Sequence, residues 1–114
     1  TRVDEPASMN PRLTAAAAAA LLREVLAGTH ALRLRDAKRP WTRIAVGECP
    51  VAAGDAQVVF FADSASLDHV AAMRLADGRS GAFADWLVND GLNPLDLLDD
   101  TERVELEHRL HEAN

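Results

Sequence analysis

Cysteine, lysine, long apolar runs and catalytic signatures are what this 114-residue chain is short of. A single cysteine, Cys49, excludes an internal disulfide framework and fits a reducing, cytoplasmic compartment. It reads as a small, partly buried hydrophobe, and the dipeptide Cys49-Pro50 is too common to imply haem. One Lys against eleven Arg, with abundant Ala and Asp, is the usage of a GC-rich bacterial genome. No stretch approaches the roughly 20 apolar residues that span a bilayer, so no membrane partner is expected. Met9 to Arg12 followed by the apolar run Leu13 to Leu22 has the outline of a signal peptide. That run is mostly alanine and leads straight into Arg23-Glu24, so it reads as a helix instead.

The catalytic motifs are missing as well. Neither Gly-x-Gly-x-x-Gly nor a P-loop occurs, and no Gly-x-Ser-x-Gly elbow is present. Ser64, Ser66, Asp68 and His69 lie together in sequence, but triad members meet through the fold, and the two serines read as helix caps. The carboxylates are spread singly, with no pair marked out as general acid and base. No cofactor is implied by any of these residues.

What the chain does have is charge segregation. Residues 1–43 carry eight Arg/Lys against four Asp/Glu, a net of +4, whereas residues 44–114 carry four Arg against fourteen acids, a net of −10. The halves therefore face each other, or one faces a charged partner. The basic excess is concentrated in Arg33, Arg35, Lys38, Arg39 and Arg43, with Trp41 among them and only Asp36 opposed. Arg with an interleaved aromatic is typical of protein interfaces, so Arg33, Arg35, Arg39, Trp41 and Arg43 are the candidate partner-binding residues. The same combination suits phosphate contact and base stacking, but a net charge of −6 and a pI near 5.0 oppose a nucleic-acid partner.

In the last predicted helix, His108 and His111 fall within about 60° of each other on the helical wheel, with Glu alongside. They are the candidate metal ligands, with Asp96, Asp99 or Asp100 as a third. A bundle metal site needs a second such motif on a facing helix, and there is none. No metal site is expected, and the two histidines read as a solvated, proton-sensitive patch.

Residues 1–9 lack periodicity and read as a flexible tail, leaving residues 10–114 as a single globular domain. Asn10 and Pro11 open a first helix that Gly28 ends. Residues 31–35 alternate apolar with basic, as a half-exposed strand does, although a helix is the competing reading. Residues 43–46 and 57–61 are strand candidates, with turn chemistry from Cys49 to Asp55 between them. A helix over 66–76 follows, with a hairpin around Asp77-Gly78 as its rival. Ser80 then caps a helix running to Gly91. Asn93-Pro94 opens a short helical turn, and Asp99 with Glu102 starts a last helix to about Glu112.

The expected fold is α+β: an N-terminal helix, a small antiparallel sheet of two or three strands, and C-terminal helices on one face. Alanine buries little area, so the core rests on Leu21, Leu22, Val25, Ile44, Val46, Val58, Phe60, Val70, Phe83, Leu87, Leu106 and Leu110. A core this thin makes homodimerisation a reasonable supplement. The function expected from all this is a small non-enzymatic protein–protein interaction module, its partner another protein or a second copy. The alternatives are a small-ligand-binding protein or enzyme with a scattered site, and a nucleic-acid-associated factor.

Overall fold

A computed structural model describes residues 12–114. The expected tail and the Asn10-Pro11 helix start lie outside the described residues. In chain order the elements are α1 (Ala15–Leu26), β1 (Leu32–Leu34), β2 (Gly47–Ala53), β3 (Ala56–Asp63), β4 (Ser66–Arg74), β5 (Ser80–Ala82), α2 (Phe83–Asn89) and α3 (Asp100–Glu112). Short 3-10 turns cover Trp41–Arg43 and Pro94–Leu97.

The α+β class stands, but the sheet is larger than the sequence suggested. It has five strands, every neighbour antiparallel, in the order β1-β2-β3-β4-β5. Two stretches account for the difference. The segment expected to be a helix over 66–76 is β4. Its apolar residues Leu67, Val70 and Met73 are spaced three apart, which imitates a helical face. The spacing arises because the β3–β4 ladder shifts register twice, between Val59 and Phe60 and between Phe61 and Ala62, so the alternation of the strand is broken. The segment expected to be a turn, Cys49 to Asp55, is mostly β2, and the strand expected over 43–46 is displaced to it. Pro50 survives inside a paired strand because the Pro50 carbonyl accepts from the Arg35 N–H (3.1 Å), beyond the last β1 pair, Leu34 with Val51. The proline nitrogen points the same way, past the end of β1, so the bonds between β2 and β3 are untouched.

The helix boundaries follow cap chemistry. Thr14 caps α1, its hydroxyl accepting from the Ala17 N–H, and Gly28 follows at φ 88°. Asn93 and Asp99 each form a capping box, with Asp96 and Glu102 respectively. By contrast α2 begins at Phe83 with no side-chain cap, because Ser80 is spent in β5.

One core cluster joins α1, α3 and the covered face of the sheet. Cys49, Val51, Val58, Phe60, Val70, Leu22, Val25, Leu106 and Leu110 are all essentially inaccessible. Three expected core residues are not in it: Val46, Phe83 and Leu87 are 64%, 39% and 53% exposed. In α2 it is Trp86 that turns inward, donating its indole N–H to the Leu13 carbonyl at 2.9 Å. Gly81 makes this possible: a Cβ there would stand 2.6 Å from Trp86 Nε1 and 2.8 Å from the Leu13 carbonyl oxygen.

Side chains and flanking segments satisfy part of the free backbone of the sheet. Asn93 acts as a substitute strand beside β4, its Oδ1 accepting from the Val70 N–H (3.0 Å) and its Nδ2 donating to the Val70 carbonyl (2.9 Å). The Leu13 N–H donates to the Ser80 carbonyl at the β5 margin, and the Leu34 N–H of β1 donates to the Asn114 carbonyl. Edges protected in this way do not invite strand addition.

Candidate partner-binding face

Alternation along each strand sends one set of side chains to the helices and the other set away from them. The second set lies in rows across the sheet. Arg33, Ala52, Gln57, Arg74 and Ser80 are mutual neighbours in register and form the first row. Pro50, Val59, Ala72 and Ala82 form the second, with Arg35 beside Pro50. Glu48, Phe61 and His69 form the third, and Asp63 with Ser66 the fourth. Among the described residues no helix crosses these rows; only the start of α2 reaches them, at Phe83 beside His69.

The face is basic at one end, apolar in the middle and acidic at the other end. Arg33, Arg35, Arg74, Glu48, Asp63 and Asp68 are all exposed, while Pro50, Val59, Phe61 and Ala72 are half-buried. A trough of about 650 Å³ crosses the sheet over Val59, Ala72 and Ala82, with Arg12, Arg35, Gln57 and Arg74 along its walls. At the acidic end Phe61 stacks on His69, with centroids 4.8 Å apart and planes 8° from parallel, and Phe83 packs on the other side of His69 at 4.5 Å. His69 Nδ1 lies 2.6 Å from the Asp68 carboxylate, which fixes the ring orientation because an ionised carboxylate only accepts.

The arginines divide into two groups. Arg12 binds Asp85 (2.8 Å) and Asp90 (2.6 Å), and Arg23 binds Glu102 (3.0 Å). Among the described residues, these are the salt bridges through which the basic front half meets the acidic rear half. The Arg12 guanidinium, helped by the Ala15 N–H, holds the Asp90 carboxyl below the usual carboxylate range. Arg23 and the Asp99 N–H do the same for Glu102. Arg79, Arg103 and Arg109 pair locally with Asp77, Asp100 and Glu105. Among the described residues Arg33, Arg35, Arg39, Arg43 and Arg74 form no salt bridge, and Lys38 forms none either.

The five residues singled out from the sequence are thus split. Arg33 and Arg35 stand on the uncovered face. Arg39 and Arg43 are exposed on the loop between β1 and β2, Arg39 passing close to Gly47. Trp41 is turned inward by the 3-10 turn and is only 3% exposed, so it anchors the loop in the core and offers nothing to a partner. Cys49 is fully buried under that loop, and burial pushes its thiol above the ordinary range, with Arg39 pulling the other way. Gln57, Val59, Phe61 and Arg74 were not singled out, and His69 was weighed only beside Ser64, Ser66 and Asp68. The alternation of residues 57–63 carries the signal for the first three.

The other candidates are simpler. Glu107, His108 and His111 line a shallow surface cleft of about 250 Å³, and His111 Nε2 is 3.9 Å from the Glu107 carboxylate. Among the described residues no group of three His, Cys, Asp or Glu side chains is placed to hold a metal ion. Asp96 and Asp99 are engaged in capping boxes. Ser64, proposed as a helix cap, sits instead in the β3–β4 turn, with φ 56° beside Ala65 at φ 63°. No helix among the described residues is long and apolar enough to cross a membrane.

No curated protein and no solved structure matches the chain. One protein family does match, over residues 12–112, and the chain belongs to it: the domain of unknown function DUF7693.

Proposed function

We propose that this chain is a small, cytoplasmic, non-enzymatic interaction module, and that its contact surface is the uncovered face of the five-stranded sheet. The observation that carries this reading is the set of arginines Arg33, Arg35 and Arg74, without salt bridges among the described residues, around the half-buried apolar row Pro50, Val59 and Ala72. Unneutralised arginine beside partly exposed apolar surface is the composition of an interface centre. Arg33 and Arg35 meet negative charge on a protein, with Arg39 and Arg43 adding to the field from the neighbouring loop. An RNA or DNA strand is disfavoured by position as well as by net charge. The stacking residues Phe61, His69 and Phe83 lie beside Glu48, Asp63 and Asp68, where phosphates would be repelled.

The test is the triple substitution Arg33→Glu, Arg35→Glu, Arg39→Glu, compared with the native chain for capture of partner from the native cell. Loss of a partner that the native chain retains supports the assignment. Undiminished capture of that partner shows that the surface lies elsewhere.

A second reading rests on the trough: walls bearing Arg12, Arg35 and Arg74 over an apolar floor would suit a small anionic amphiphile. Saturable binding of such a compound, abolished by Arg35→Ala with Arg74→Ala, would favour it over the protein partner.

A further inference from the structure

Resting on the interaction reading above, we infer that the occupant of the uncovered face is a second copy of this chain, packed face to face about a two-fold axis. The axis lies in the plane of the face, perpendicular to the strands, and passes near Val59. An outside acidic segment would satisfy Arg33, Arg35 and Arg74 but would be repelled by Glu48, Asp63 and Asp68 on the same face. A second copy matches Arg33 and Arg74 to the acidic end and the acidic end to them.

The geometry follows from register. Ala52 of the arginine row and Glu48 of the acidic row are four residues apart on β2, about 13 Å at the usual rise per residue. That exceeds the Debye length of roughly 8 Å at physiological salt, so each end presents its own sign of charge. A two-fold axis perpendicular to the strands exchanges the ends and leaves each strand over its own equivalent. Arg74 of one copy then lies over the Asp68–His69 end of β4 in the other, and Arg33 lies beside Glu48. The row Pro50, Val59, Ala72, Ala82 packs on itself, at the approximately 10 Å separation of stacked sheets. A two-fold along the strands would instead set the whole arginine row against itself, whereas about the chosen axis only Arg35, level with Pro50, meets its own copy. Charge thus selects one arrangement of the two, and an isologous contact of this kind closes at the dimer. The margins of the sheet contribute nothing, because β1 and β5 are already engaged by Asn114 and Leu13.

The experiment is sedimentation velocity on the full chain at low salt, from about 1 to about 100 µM, the range in which modest interfaces associate. The native chain is expected to move from 12.3 kDa towards twice that mass. Arg74→Glu and Asp68→Arg should each weaken association at least about tenfold, because each sets like charges opposite one another. Mixed in equal amounts, the two variants should recover a heterodimer, since one of the two pairs is then the native Arg74–Asp68 contact and the other is the same contact with its signs exchanged. Arg33→Glu with Glu48→Arg forms a second such set, which serves if either variant of the first fails to fold. A native chain that stays at 12.3 kDa throughout overturns the inference, and so does a dimer indifferent to all four reversals. Neither result touches the wider interaction reading, whose own test is capture of a different protein by way of Arg33, Arg35 and Arg39.

Discussion

Phe60 and Phe61 are adjacent in sequence and opposite in circumstance. Phe60 is fully buried between the sheet and the helices, whereas Phe61 is half-buried on the far face, with only His69 stacked on it. The same contrast runs through the charges. Arg23 on the helical side and Arg12 at the margin of the sheet are each matched to a carboxylate, while Arg33, Arg35 and Arg74 have no carboxylate partner among the described residues. One face of this sheet is finished by its own chain, and the other is composed like a surface awaiting a counterpart.

The largest effect that separates the two faces should come from truncating the paired phenylalanines. Phe60→Ala is expected to cost about 3–5 kcal/mol, as for other large core aromatics. Phe61→Ala should cost about 1–2 kcal/mol, mostly its stacking on His69. Urea denaturation of both variants measures the gap, and equal losses would erase the distinction between the faces. Next comes a comparison within β5. Gly81→Val forces a side chain against Trp86 and the Leu13 carbonyl, at an expected cost of about 2–3 kcal/mol. Ala82→Val, one residue on and facing away, should stay within about 0.5 kcal/mol. Thermal melts of the two would show whether the alternation is assigned correctly.

Acid should discriminate the arginines. Asp90 and Glu102 are held below their unfolded values of about 3.9 and 4.3. Their contribution is therefore complete above that range and is lost as pH falls through it towards the lowered folded values. Melting temperature followed from neutral pH to about pH 3 should fall less steeply in Asp90→Asn and Arg12→Ala than in the native chain. Arg74→Ala, compared with the native chain at a concentration where both are monomeric, should reproduce the native profile. A flattened profile there would mean that Arg74 has a carboxylate partner after all. The smallest effect concerns the β3–β4 turn, where Ser64 and Ala65 both have positive φ. Ala65→Gly should stabilise by about 0.5–1 kcal/mol by relieving a left-handed conformation that alanine tolerates poorly. Chemical denaturation reads this directly, and a loss of stability would mean that the turn is unstrained.

How much of this could be read beforehand depended on whether the signal was local. Caps are local, so the ends of α3 and the Pro94 turn were legible from Asp99, Glu102 and Asn93. The alternation of Leu32-Arg33-Leu34-Arg35 pointed to a strand without excluding a helix, and the structure makes it β1, which places two arginines of the candidate surface. Register is not local. The shifts beside Phe60 and Ala62 disguised β4 as a helix and thereby hid Arg74 and His69. Pro50 disguised β2 as a turn, because nothing in its neighbourhood says that its nitrogen faces past the end of a three-residue strand. Trp41 misled for a related reason: adjacency to arginines in sequence does not tell which way a 3-10 turn points its first residue.

The way Leu13 is held has a consequence for the order in which the molecule assembles. Its hydrogen bonds reach Ser80 and the Trp86 indole, the latter 73 positions away. The strands from β2 to β5, in contrast, are joined to their sequence neighbours by brief turns. Loop-closure entropy favours the neighbouring hairpins first and makes the docking of α1 wait until residues 80–90 are in place. The amino-terminal helix should accordingly be the last element to gain protection in pulse-labelled hydrogen exchange during refolding, and its departure the earliest step of unravelling.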